Sequence, residues 1–458
     1  MRRRGSKLLA VATAVIAAAS MMSGCGDKDT NTSASAQSSG GSTEAGSEAG
    51  SAKGGSSEVE PCTITYYGGW TGADLDKMQA MVDDFNSSQD TINVEFTSLQ
   101  WSEIFTKFLA DYQAGSSPDV VAMHTFEMGQ FVDMGVLDAK QVESMDLQES
   151  DYVKTAWDGC KYEDTLYGVP IDLNMHALYY NEDLFKEAGI EKAPATGEEL
   201  IDTAMKLTID GNGKNATEDG FDKDNIEQYG FGFLQNHHAF YQTYSMLNQQ
   251  GYNPFTDDMK EITLDTDKTA KAIQFIEDLI YKYNVTPVGE KSPIDDFKAG
   301  TVAMIIDGNW QLSGLNEVSF GWNTAEYPQI FDEKAVWGAA ELLAFPASKN
   351  PDENKQAAAR TFVKWLSENS AQWALSGQIP ANIKAQEDSE KLKGIDAYYA
   401  EMDYVKFLPA NPLSVSLFSS KAPSPILTMA QDATLNAKDP AEIIEQFEKD
   451  LNDVMKNN

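Results

Sequence analysis

The sequence predicts an α/β protein of two lobes, with mostly parallel sheets flanked by helices. Two observations carry this expectation. Short apolar runs alternate with stripes at helical spacing from residue 62 onward, and the same rhythm returns after residue 190. The body beyond residue 57 is also long enough to enclose more than one core.

The N-terminal stretch stands apart from that body. Arg2, Arg3, Arg4 and Lys7 precede an alanine-rich apolar run over 8–19, too short for the roughly 20 residues that a spanning helix needs. The run ends in Met22-Ser23-Gly24-Cys25, so residues 1–24 read as an export signal with a processing site. This end resembles the bacterial lipobox, which implies lipidation of Cys25 and a protein held on the outer face of the cytoplasmic membrane. Residues 25–57 are almost entirely Ser, Gly, Ala, Thr and Glu. Such a segment buries too little apolar surface to offset its ordering entropy and is expected to be a flexible tether. At about 5–6 Å times the square root of its length, it would hold the body about 30 Å from its anchor.

Each element of the body has its own signal. Ile64 and Tyr66 alternate with Thr63 and Thr65 in a strand that ends at Gly68-Gly69. Leu75, Met78, Val82 and Phe85 mark a helix, and Ile92, Val94 and Phe96 a second strand. Trp101, Ile104, Phe105, Phe108, Leu109 and Tyr112 form a helical stripe closed by Gly115. Pro118-Asp119 then opens Val120-Val121-Ala122-Met123, an apolar run suited to a buried parallel strand. Further on, Thr196 and Glu199 make a capping box, and Ala272 to Tyr283 carries another helical stripe. Ser292-Pro293 starts a short helix ending near Gly300, before a strand from Val302 to Ile306. Asp439-Pro440-Ala441-Glu442 caps a final helix with Ile443, Ile444, Phe447, Leu451 and Val454 on its apolar face.

Composition narrows the function. The formal charge is −36, and −40 once residues 1–24 and their four positive charges are gone. A surface so acidic repels polynucleotides and anionic lipid, so no nucleic-acid partner is expected. Beyond Cys25 only Cys62 and Cys160 remain, either as a disulfide or as two buried thiols. None of the four histidines lies four residues from another, and there is no Gly-x-Ser-x-Gly elbow, Walker loop or Cys-x-x-Cys. The loop Asp210-Gly211-Asn212-Gly213-Lys214 fails as a calcium loop. Lys214, Asn215 and Phe221 stand where an oxygen ligand, a glycine and a glutamate are needed, and a solvated acidic loop is expected. No cofactor or metal is expected.

From Ala114-Gly115-Ser116-Ser117-Pro118-Asp119-Val120-Val121 the chain resembles the maltose-binding-protein-like family of extracellular solute-binding proteins, which serve sugar ABC importers. Tyr167-Gly168-Val169-Pro170, Leu178-Tyr179-Tyr180-Asn181-Glu182-Asp183-Leu184-Phe185 and Ala188-Gly189-Ile190 continue the likeness. So do Phe297-Lys298-Ala299-Gly300-Thr301-Val302-Ala303-Met304 and Asp307-Gly308-Asn309-Trp310. One departure is Gly197, where the family has tryptophan. The resemblance implies a periplasmic-binding-protein-like fold whose lobes close on a ligand by hinge bending. It places the crossings near 172–177, 338–345 and 378–383. The lobes are then 58–172 with 342–378, and 173–341 with 379–458. It also implies a monomer that docks on importer permease subunits and has no catalytic residues.

A sugar site needs flat aromatic platforms and groups that exchange hydrogen bonds with hydroxyls. Loops at strand ends supply the candidates. Trp310 follows Gly308-Asn309, and Trp70 follows Gly68-Gly69; each is a platform or a core tryptophan. His124 and Phe126 follow the Val120–Met123 run. Asp172 and Glu341 fall in crossings, either as hydroxyl acceptors or as hinge partners. Gln235 to Tyr244 is dense in amides, histidines and aromatics, with Gln235 and Tyr241 preferred; Asn309 completes the set. The rival readings are an exported glycoside hydrolase with an acid pair, and a binder of peptides or other non-sugar solutes. A purely structural lipoprotein fits two hinged lobes poorly.

Overall fold

Alternating and fully apolar runs fold as strands, and the stripes between them fold as helices over the strands' faces. In a computed structural model the described residues are 59–256, 264–413, 416–417 and 424–457. The export signal, Cys25 and the tether lie outside them. The chain starts with β1 (Cys62–Gly68), α1 (Gly72–Ser88), β2 (Ile92–Ser98), α2 (Trp101–Ala114), β3 (Val120–His124) and α3 (Thr125–Asp133). α1 buries Met78, Met81, Val82 and Phe85, and α2 ends on Gly115, whose left-handed φ of 77° closes the last turn. β4 (Gly168–Pro170) is followed after one residue by β5 (Asp172–Asn181). The other strands of the two large sheets are β6 (Gly232–Phe233), β7 (Met304–Gly308), β8 (Trp322–Ala325), β9 (Val336–Ala339), β10 (Glu341–Ala344), β11 (Ile379–Pro380) and β12 (Val405–Phe407). The helices that matter below are α4 (His237–Gln249), α5 (Glu353–Glu368), α6 (Pro425–Thr434) and α7 (Pro440–Asn457).

Two large sheets result, beside two short two-stranded ones. The first runs β2-β1-β3-β10-β4; the second runs β6-β7-β5-β9-β12, with β8 and β11 also on β5. The expected parallel pairing holds for β1 with β2 and β3, β6 with β7, and β9 with β12. The sheets are nevertheless mixed. β10 is antiparallel to β3 and β4, and β5 is antiparallel to β7, β8, β9 and β11. The reason is topological: strands that carry the chain across and back do not follow the β-α-β sense of the strands they join.

Three passages between the sheets lie side by side. Ile171 N–H donates to the Glu341 carbonyl, and Ala381 N–H to the Ile171 carbonyl, both at 3.0 Å. Asp172, fully buried, accepts from Glu341 N–H at 2.9 Å and from the Trp373 indole N–H at 2.5 Å. Asn309, also fully buried, accepts from Met175 N–H and donates to the Leu173 and Gly377 carbonyls and the Gln378 side chain. Two polar side chains thus knot all three passages.

Several expectations are adjusted. Cys62 and Cys160 are free thiols, not a disulfide: Cys62 sits at the edge of the core that covers β1, whereas Cys160 is buried in a separate cluster with Phe131 and Leu342. The strand expected at Val302–Ile306 runs two residues later. The stripe at Ala272–Tyr283 is an α-helix only to Glu277, then widens into a π turn through Lys282. Asp210 is buried rather than solvated, its carboxylate engaged by the backbone N–H groups of Asn212, Lys214 and Asp222.

Asp172→Ala should lower the unfolding free energy by about 2–6 kcal/mol, because two buried N–H groups lose their acceptor at about 1–3 kcal/mol each. Urea titration measures this directly, and a loss below about 1 kcal/mol would mean that the passages hold together without the carboxylate.

Candidate functional site

Beside the passages lies a cavity of about 640 Å³ between elements of the two sheets. One wall carries Trp70 and Asp74 from the β1–α1 junction, Trp101 from the start of α2, and His124, Phe126 and Glu127 from the β3–α3 junction. The other carries His237, His238 and Tyr241 from the first turns of α4, Trp310 after β7, and Trp337 on β9. Asn174, Glu341 and Gln378 form the floor, where the passages run.

The aromatic groups are seated by missing side chains. A Cβ at Gly69 would fall 2.0 Å from the Trp101 indole, and one at Gly308 would fall 2.1 Å from the Trp310 ring. Only glycine lets these indoles lie flat on the backbone. Trp70 packs edge-on against Trp101 and Trp373, each at 5.5 Å between centroids. Trp337 stacks on Tyr241 at 4.0 Å with 6° between planes. His124 stacks on Phe126 at 5.3 Å and lies 4.3 Å from Trp101.

All four histidines of the chain converge here. His124 Nδ1 lies 2.7 Å from the Glu127 carboxylate, and its Nε2 lies 3.8 Å from Glu341. His176, buried behind Trp337, shares a 3.0 Å hydrogen bond with His238. Burial drives His176 down to about 3 and His237 down to about 4, and His238 falls well below its ordinary value. These three rings are therefore neutral at pH 7. The carboxyls move the other way. Burial lifts Asp74 to about 7, against the Gln378 amide that bonds it at 3.2 Å. Burial, then the nearby Asp172 and Asp74, holds Glu341 well above the carboxylate range.

Four buried polar atoms on the cavity lining have no hydrogen-bond partner among the described residues: Trp70 Nε1, Trp337 Nε1, Asp74 Oδ1 and Glu341 Oε2. Orphaned donors and acceptors are rare in folded interiors, and four of them belong to residues that line this one hollow. Two are donors and two are carboxyl oxygens, beside broad aromatic faces. That arrangement suits a solute with both C–H surfaces and hydroxyl or ammonium groups.

Of the residues singled out from sequence, Trp70, His124, Phe126, Tyr241, Trp310 and Glu341 line this cavity. Asp172, Asn309 and Gln235 do not: the first two are the knots between passages. Gln235 bridges the Pro287 carbonyl and the Gly289 N–H. Sequence reasoning left out Trp101, Trp337 and Asp74. Trp101 and Asp74 lie in the first turns of helices that follow strands, the position that did point to Trp70 and His124.

A family model of bacterial extracellular solute-binding proteins matches residues 80–397. The maltodextrin-binding protein MdxE of Bacillus subtilis is 24% identical over 67% of this chain and 70% of its own. A substrate-binding protein of Listeria monocytogenes, solved in complex with cycloalternan, superposes with a TM-score of 0.71 at 21% identity, over 87% of this chain and all of the other. The GacH receptor of Streptomyces glaucescens, solved unliganded and with acarbose, gives 0.72 at 20% identity, over 87% and 99%. The fold is the two-lobed one of those structures.

Gly308→Ala should displace the Trp310 ring at a cost of about 1–3 kcal/mol. The expected result is lower stability in urea with altered tryptophan fluorescence. Gly314→Ala is the control: its added Cβ meets only the flexible Lys298 side chain, and both readouts should match the parent.

Proposed function

The chain belongs to the bacterial extracellular solute-binding proteins, and we propose that it captures a saccharide between its lobes and delivers it to an ABC importer. The observation that carries this is the cavity lining. Indole and phenol faces from both lobes surround orphaned donors and acceptors, the complement of a ring with apolar faces and hydroxyl edges. Trp70, Trp310, Trp337 and Tyr241 are the platforms. Asp74, His124 and Glu341 are the polar contacts, with neutral His237 and His238 able to donate or accept. The names of MdxE and of the Listeria complex support a carbohydrate.

Binding would use the passages as a hinge. Each lobe holds half of the contacts, so only the closed form makes both sets, and ligand stabilises that form by the difference. The anchor at Cys25 and the tether behind it belong to the same proposal: they would keep the binder within reach of permease subunits in the membrane. No catalytic role is assigned. The raised Asp74 and Glu341 carboxyls are the one feature that favours an exported hydrolase instead.

A thermal-shift screen of the full chain against mono- and oligosaccharides separates these readings. A saccharide at a hundred times its dissociation constant should add about 2.7 kcal/mol of stability and be recovered intact. Trp310→Ala should weaken it by about 2 kcal/mol, roughly thirtyfold. Cleaved sugar would establish the hydrolase, and the absence of any shift would turn the search to peptides and other solutes.

A further inference from the structure

The cavity lining is unbalanced in charge. It holds the carboxyls of Asp74, Glu127 and Glu341, and among the described residues it holds no lysine or arginine. Glu127 is paired with His124, but Glu341 Oε2 and Asp74 Oδ1 have no hydrogen-bond partner among the described residues. Glu341 is only 4% exposed. A buried carboxyl without a cation is costly, and folded proteins pair such groups or keep them protonated. Here the lining offers these two carboxyls no lysine or arginine; the imidazole of His124, 3.8 Å from the other Glu341 oxygen, is the one basic group beside them among the described residues.

Resting on the saccharide reading, we propose that the ligand carries a basic nitrogen: an amino sugar or amine-bearing oligosaccharide whose ammonium sits between Asp74 and Glu341. Three further features agree. An ammonium donates in three directions, which matches two unpartnered carboxyl oxygens with room for a third acceptor. Indole faces beside the carboxyls, Trp70 and Trp101, attract a cation through their π-systems once water is excluded. The same surroundings repel a carboxylate, phosphate or sulfate, so anionic saccharides are excluded by the field that attracts the amine.

The protonation states give this proposal its own signature. Burial lifts Asp74 to about 7 and, with Asp172 and Asp74 nearby, holds Glu341 well above the carboxylate range; Asp172 and His124 are the other titratable groups beside them. An ammonium placed against Asp74 and Glu341 stabilises the ionised forms, so its capture must release protons near pH 7. A neutral sugar at the same place provides no charge and releases none.

The test is calorimetry on the full chain with matched disaccharides of glucose, galactose and mannose in both anomeric linkages. Each is taken as the neutral sugar, its 2-amino-2-deoxy form and its uronic acid. The expected outcome is at least one amino form bound tenfold or more tighter than its neutral parent, with proton release revealed by buffers of different ionisation enthalpy. The uronic acid should not bind. Glu341→Gln should bring the amino and neutral forms to within about threefold of each other, and Asp74→Asn should halve the proton release or better. Equal or tighter binding of the neutral parent, or amine binding without proton release, overturns the amine and leaves saccharide capture standing. If no member of the series binds, both the amine and the saccharide reading fall.

Discussion

The passages between the sheets depend on two buried polar side chains. Asp172 and Asn309 make six hydrogen bonds between them, and those bonds join β5 to β10, to the segment before β11 and to the end of β7. A loop would not serve here, because three backbone strands run through a dry region and each N–H and C=O there needs a partner. The knots supply those partners without using the cavity. They also fix the floor on which Asn174, Glu341 and Gln378 stand, so the site inherits its geometry from the hinge rather than from its own walls.

The walls follow a different rule. Interior aromatic residues normally fit between other side chains, but Trp101 and Trp310 lie against bare backbone. Glycine at 69 and 308 gives up side-chain packing so that a flat surface is exposed to the hollow, already in position. The unpartnered atoms add to that cost, at about 1–3 kcal/mol for each buried donor or acceptor. A protein that keeps such groups at one place, and satisfies them at the passages a few residues away, has its stability concentrated in the hinge and its deficit in the cleft.

What could be read from the sequence follows the physics of each level. β1, β2, β3, α1 and α2 were legible because local periodicity sets them, and Gly115 and Gly300 stop their helices through a left-handed backbone. β5 was not: ten residues buried on nearly every side have no alternating face, and Asn174 and His176 within it look like loop residues. β7 slid by two residues for the same reason. At the site, strand ends pointed to Trp70, His124 and Trp310, since that is where a parallel sheet opens. Polar residues misled, because an Asp or Asn that braces a backbone has the same chemistry as one that meets a solute. Asp172 and Asn309 differ from Glu341 only in which N–H groups the fold brings to them. Trp101 was hidden by its own regularity, as the first member of a stripe whose other members are core.

The gathering of His124, His176, His237 and His238 has a practical side. No other imidazole exists in the chain to obscure them. Every imidazole resonance in a nuclear magnetic resonance spectrum of this protein therefore reports from within a short distance of the hollow. Labelling histidine alone would give a four-signal view of whether the cleft is filled, which wall a guest touches first, and whether both lobes sense it together.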